Sequence, residues 1–204
     1  MTIDFVNDPI ENIAKQLLGC IIEHEVNGKV RSGIIVDTEI YMGDQDQASH
    51  AYNGKRTPRM QAMLLEGGHL YLYQMRGHVL MNFVCGKAGE VCGIMIRAIE
   101  PLEGIEDMIL DRKQNGPSLT NGPGKLTQAL GITMNLYGSA IGGALKLIED
   151  TPYRVNNMVT TSRIGIPNKG GWTHAPLRFY VDGNPYCSDI KSDTIRPDHG
   201  WLKV

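Results

Sequence analysis

Within the apolar run SGIIVDTEIYM, residues 32–42, two carboxylates and a phenol stand two residues apart: Asp37, Glu39 and Tyr41. Alternate residues of an extended chain share a face, so these three line one side of a strand. Val36, Thr38 and Ile40 take the other, which reads as the core side. Two readings fit. The face can simply be solvated, or the carboxylates can supply the acid and base that flank a scissile glycosidic bond. Spacing alone does not choose between them.

A second stretch, HLYLYQMRGHVLMNFVC from His69 to Cys85, sets two apolar runs around Met-Arg-Gly-His. Leu70 and Leu72 alternate with Tyr71 and Tyr73, and Val79 to Val84 again favours a strand, so the segment reads as a hairpin turning at Gly77 with Arg76 at its tip. His50 has no ligand partner at metal spacing and reads as a hydrogen-bonded loop anchor; no metal site is implied. Gly122-Pro123-Gly124-Lys125 looks like the end of a phosphate loop. Leu119 replaces its first glycine and Leu126 its Ser or Thr, so it reads as a loop entering a helix, whose N–H groups could hold one backbone phosphate. An H-x-E with a C-x-x-C partner is missing, which excludes a zinc deaminase. A G-x-S-x-G elbow is missing too.

The elements that must position these groups can be read from the same pattern. Asp8 as N-cap, Pro9 at the first helical position and Glu11 open a helix with Ile10, Ile13, Ala14, Leu17 and Leu18 on one face, closed by Gly19. Strands Cys20–Val26 and Lys29–Tyr41 meet at Asn27-Gly28. A long polar loop, Met42 to Arg59, implies a functional role. Ala88–Ile99 reads as a strand, Ile105–Lys113 and Lys125–Leu130 as helices, and LRFYVDGNPYCSD as a last hairpin turning at Asp182-Gly183. The 204 residues, 42% hydrophobic, predict one α+β domain over 1–204 weighted to antiparallel sheet. The opening residues carry no leader pattern, and no run is long enough for a membrane span. The four scattered cysteines suit a reducing cytoplasm, and a net charge of −2 restricts any nucleic-acid binding to a local patch.

Six segments together resemble the alkyladenine (3-methyladenine) DNA glycosylase family of base-excision repair. They are DTEIYMGDQDQASHAYNGKRTPR, GGHLYLYQMRG, IMIRAIEPLEG, NGPGKLTQALGI, RIGI and PLRFYVDGNPYCS, in the family's order over most of the chain. The resemblance implies a mixed α/β domain with a curved antiparallel sheet, surrounding helices and a protruding hairpin that enters the DNA minor groove. It implies a monomer acting on duplex DNA with damaged purines in the cytoplasm, on the nucleoid when bound, with no cofactor and no membrane. Glu39 matches the general base that activates water, and Arg97 a partner of that carboxylate and its water. Tyr41 and Tyr73 match the aromatic walls around a flipped base. In the Gly43, Asp46, Ala48, His50 pattern, His50 lines the pocket and the Ala48 backbone reads the base edge. Asn82 matches a residue that screens bases.

That similarity selects the catalytic reading of the strand and points to hydrolysis that leaves an abasic site, since no lysine occupies the E-x-Y segment to form a Schiff base. A free glutamate titrates near ~4.3, so Glu39 is expected ionised at neutral pH, the more so beside Arg97. Arg76 and Gly77 fall at the hairpin tip, where the family usually has a tyrosine wedge, and the hairpin is one residue shorter than the family pattern. Arg76 is expected to wedge or to touch backbone. Lys55, Arg56, Thr57 and Arg59 are expected to grip phosphates. Asp37, Ile40 and Met60 depart from the family's Glu, Ala and Asn, which leaves substrate range open. A catalytically silent damage-binding protein and a general nucleic-acid-binding module of the same fold are the alternatives.

Overall fold

The structure, a computed structural model, describes residues 2–202. Helix α1 (Ile10–Gln16) buries Ile13 and Ala14, with Leu17 and Leu18 buried just beyond it. It starts one residue later than the sequence suggests. Pro9, not Asp8, is the N-cap and no side chain caps it; the Pro9 carbonyl accepts from the N–H groups of Asn12 and Ile13. Asp8 is held elsewhere, because residues 4–8 form their own turn, in which the Asp4 carboxylate accepts from the N–H groups of Val6 and Asn7 and the Asp4 carbonyl from that of Asp8.

Strands β1 (Ile21–Val26) and β2 (Lys29–Tyr41) are joined as expected, with Asn27 and Gly28 both at positive φ. Strands β3 (Leu70–Met75) and β4 (His78–Cys85) repeat the device with Arg76 at φ 51° and Gly77 at φ 81°. Both are turns of the mirror-image type whose twist matches paired strands. Beyond them come β5 (Cys92–Glu103), α2 (Ile105–Arg112), α3 (Pro123–Ala129), β6 (Leu145–Ile148), β7 (Met158–Thr161) and β8 (Arg178–Val181). Among the described residues these strands make one antiparallel sheet in the order β3-β4-β5-β2-β1-β6, with β8 between β2 and β7. The fold is α+β. No described helix is long and apolar enough to cross a membrane.

The last hairpin is a correction. Asp182-Gly183 turns, yet the chain beyond it does not return along β8, because both edges of β8 are already occupied by β2 and β7. Residues 184–188 are pinned by side chains instead: buried Asn184 donates to Glu100 at 2.7 Å and accepts from the Tyr186 N–H at 3.0 Å. Strands β6 and β7 are four residues each and leave no period for a sequence reading to detect.

β2 sits at the centre, and its pairing with β5 is irregular where it matters. Ile35 faces Ile99, Asp37 faces Ala98, and Thr38 faces Ile96. Val36 is therefore an extra residue in β2 and Arg97 an extra residue in β5, two bulges that cancel. Bulges bend their strands and re-aim side chains. The main core lies on the Val36 and Ile40 side of β2, with Leu70, Leu72, Phe83, Ile94 and Phe179. A smaller cluster on the opposite face of β3 and β4 packs Tyr71 and Val84 under Ala51, Met60, Ala62 and Met63. The loop after β2 is thus folded against the sheet. Ile40 and Met60, which depart from the resembled pattern, are both core residues here.

Asp37 is fully buried but not alone. It receives Nε and Nη2 of Arg178 at 3.0 and 2.7 Å and the Ser188 N–H at 3.0 Å. Burial pushes its carboxyl up and those bonds pull it back. Removing one member of a buried pair strands the other charge, at about 3–5 kcal/mol. Arg178→Met is expected to lose that much in urea unfolding and Asp37→Asn/Arg178→Met to recover part of it; a loss within error for the single variant would show that the pair does not hold β8 to β2.

Candidate active site

A cavity of about 380 Å³ opens on the side of the sheet opposite the main core, inside the roughly 300–1,000 Å³ range of small-molecule sites. Strand register builds its floor. Tyr71, Asn82, Met95, Glu39 and Arg178 are successive cross-strand partners along β3, β4, β5, β2 and β8. Paired residues of antiparallel strands project to one face, so this row fixes what the cavity stands on. Tyr41, Ala48, His50, Tyr73, Asn82, Arg97 and Ile164 are among the residues that line it.

Glu39 is 0% exposed and lies behind this lining, covered by Tyr41 and Arg97. Its Oε1 accepts the Ile164 N–H at 2.8 Å and faces Nη1 of Arg97 at 3.3 Å; its Oε2 accepts the Tyr41 hydroxyl at 3.1 Å. Burial pushes the Glu39 carboxyl above its ordinary 4.5, and the opposing pull of Arg97, the Ile164 N–H and the Tyr41 hydroxyl does not cancel it. Arg97 favours the ionised form, as the sequence suggests, but desolvation, which the sequence does not reveal, outweighs it. Nε of Arg97 is buried without a partner among the described residues.

The aromatic wall is continuous. Tyr73 meets the His50 ring edge-on at 4.6 Å and stacks on Tyr71 at 5.7 Å, and His50 Nδ1 lies 2.8 Å from the Tyr71 hydroxyl. Burial lowers the His50 pKa, and the charges of Arg59 and Lys55 lower it further. The imidazole is thus neutral at neutral pH, and burial pushes the Tyr73 phenol up to about 12. Asn82 is turned into the sheet, donating to the Tyr71 carbonyl at 3.2 Å.

The loop carrying Ala48 and His50 is shaped by Asp46, which accepts the N–H groups of Met42 at 3.1 Å and Ala48 at 2.9 Å. Asp46 in turn grips Arg163 with both oxygens, at 2.5 and 3.0 Å. In the sequence, Arg163 and Ile164 stand out only as part of the RIGI segment, and Tyr71 has no role beyond its strand face. Nothing local marks them, since their contacts come from elements more than a hundred residues away or across a hairpin.

The residues expected to meet DNA separate into two groups. Gln74 to His78 are exposed at the hairpin tip, and Met75 and Arg76 also border the cavity. Gly124 of α3 braces this hairpin, because a Cβ there would sit 2.7 Å from that of His78; Thr127 Oγ1 donates to the Val79 carbonyl at 2.6 Å. Lys55, Arg56 and Arg59 are exposed on the loop. Arg56 is tied to Asp44 at 2.7 and 3.0 Å, which offsets its charge locally. The Thr57 hydroxyl is buried without a partner among the described residues.

One measurement checks the electrostatics of this wall. His50 is expected to titrate below 6.5 by NMR, and Arg59→Gln to move it upward by removing a like charge. A value at or above 6.5 would mean that the ring is better solvated than its packing against Tyr71 and Tyr73 implies.

Comparison with known proteins places these groups in a family. Residues 4–185 match the family described as methylpurine-DNA glycosylase (MPG). A protein of Staphylococcus saprophyticus, provisionally named a 3-methyladenine DNA glycosylase, is 46% identical over 97% of this chain and 98% of its own. Proteins given the same name in Enterococcus faecalis and Staphylococcus haemolyticus are 46% and 45% identical, over 94% and 97% of this chain and 85% and 99% of theirs. On a match of that extent, the chain belongs to the methylpurine-DNA glycosylase family.

Proposed function

We propose that the protein is a monofunctional DNA glycosylase. It rotates an alkylated or deaminated purine out of duplex DNA, holds it in the cavity, and hydrolyses its N-glycosidic bond to leave an abasic site. The observation that carries this reading is a cavity walled by tyrosine and histidine and lined by Arg97, with buried Glu39 paired to that arginine one side chain deeper. A base within the stack is out of reach of any side chain, and turning it out costs a few kcal/mol that the pocket must offset. Ring faces of Tyr41 and Tyr73 attract an N-alkylated, cationic purine by roughly 0.5–2 kcal/mol over a neutral one.

Such a base departs readily, so the demanding task is to deliver water and to stabilise positive charge developing on the sugar. Glu39 serves as the base for that water. Its anionic form also faces the oxocarbenium-like sugar, and Arg97 offers an unpartnered N–H close by. Among the described residues no lysine lines the cavity, and Lys29, in the same strand, is spent on Asp107 at its far end. This supports hydrolysis over a Schiff-base mechanism.

A damage-binding protein without chemistry is the competing reading, favoured by the enclosure of Glu39 behind Tyr41 and Arg97. Glu39→Gln separates the two. Single-turnover excision from a duplex with one hypoxanthine or methylated purine should fall at least about a hundredfold while binding persists. Excision needs the anion, and the carboxyl is held above 4.5; the rate should therefore drop as pH falls through a value higher than an ordinary glutamate's, and that acid limb should vanish in Glu39→Gln. Undiminished excision by the variant removes the assignment, and absence of excision by the native chain supports the binding-only reading.

The exposed hairpin tip is assigned to the gap left by the flipped nucleotide, with Arg76 as the wedge. A guanidinium is flat, stacks, and bonds to phosphates or to the orphaned base. Arg76→Ala should lose excision chiefly on a well-paired lesion and less on a mismatched or single-stranded one, with Arg76→Tyr keeping activity. An equal loss on all three substrates would assign Arg76 to phosphate attraction or to folding.

A further inference from the structure

The tyrosine wall of the cavity has a positive charge behind it. Arg163 is wholly buried and does not line the cavity, yet its guanidinium carbon lies 4.8 Å from the centroid of the Tyr41 ring. Tyr41 itself borders the cavity and Arg163 does not, which puts the ring between the guanidinium and the candidate base site. Around its edge the guanidinium is fully engaged at Nη1 and Nη2, by Asp46, by the Ile40 carbonyl at 2.9 Å and by the Trp172 carbonyl at 3.3 Å. Its Nε is buried without a partner among the described residues. The next residue, Ile164, supplies the N–H that holds Glu39. One dipeptide thus fixes both the wall and the carboxylate.

We propose that Arg163 is a positioning residue that also sets lesion selectivity: its charge, acting through the Tyr41 ring, restrains acceptance of cationic N-alkylated purines relative to neutral ones such as hypoxanthine. The proposal rests on reading the cavity as a base pocket. A cation on one face of an aromatic ring draws on the same negative quadrupole that a cationic base would use from the other face. A base stacked on the open face sits roughly 8 Å from the guanidinium, where an effective dielectric near ~20 leaves a repulsion worth several-fold in a rate or binding ratio even after partial offset by Asp46. A neutral base feels almost none of it. Two tyrosines without Arg163 would favour cationic lesions more strongly than this site does.

The test is the ratio of single-turnover excision rates for 7-methylguanine and hypoxanthine in the same duplex. Arg163→Gln alone leaves the Asp46 carboxylate buried without its partner and can fail to fold for that reason. Arg163→Gln/Asp46→Asn removes both charges together, and Arg163→Lys keeps the charge while losing the planar fork. The 7-methylguanine to hypoxanthine ratio is expected to rise about three- to tenfold over the native ratio in the double variant and to stay within about twofold of it in Arg163→Lys. A double variant that loses both activities equally, with the ratio unmoved, overturns the selectivity role and leaves Arg163 a purely structural clamp. Should the native chain excise neither lesion, the glycosylase reading fails first and this inference with it; native excision of both with an unmoved ratio fails the inference alone.

Discussion

Three carboxylates are buried around the end of β2, and each is answered by a guanidinium: Asp37 by Arg178, Asp46 by Arg163 and Glu39 by Arg97. Ionised groups are not carried into a protein interior without such partners. The three arginines come from β8, from the segment after β7 and from β5, so pairing the charges is also what draws those distant parts together. The sheet order, the shape of the loop after β2 and the position of the cavity all depend on that pairing.

The pairs are not equivalent. Asp37 and Asp46 are each gripped by two nitrogens of one arginine and by backbone N–H groups. Such forks are rigid and directional. Glu39 has a single arginine nitrogen at 3.3 Å, its other partners being the Ile164 N–H and the Tyr41 hydroxyl, and burial raises its carboxyl as it raises that of Asp37. Two pairs therefore serve as fixed framework while the third, nearest the cavity, lacks the two-nitrogen fork. A carboxylate whose charged form is disfavoured by burial retains basicity, which a general base requires.

Much of this was legible in the sequence where the signal is local. The alternation of Asp37, Glu39 and Tyr41, the two left-handed turns at Asn27-Gly28 and Arg76-Gly77, and the opposed faces of Leu70/Leu72 and Tyr71/Tyr73 all derive from a period of two and from turn stereochemistry. What was not legible is pairing at long range. The choice between a solvated and a buried carboxylate face depended on Ile164 and Ser188, whose N–H groups reach Glu39 and Asp37 from 125 and 151 positions later. Asp8 does not cap the helix because it belongs to a turn organised by Asp4, which no helix pattern describes. The upward push on Glu39 comes from burial, which the spacing of residues along β2 does not reveal.

The paired bulges at Val36 and Arg97 carry a consequence for how this site can vary. Each adds one residue to one strand, and together they restore the ladder on either side. Losing either residue alone would shift everything beyond it by one, sending Glu39 or Met95 to the wrong face of the sheet. The two strands are thus locked in length to one another. Arg97, the surplus residue of β5, has no cross-strand partner of its own, so its side chain answers to the buried carboxylate it faces and not to the ladder. The segment is intolerant of insertion and deletion because of its register, and at Arg97 substitution is limited instead by the charge of Glu39.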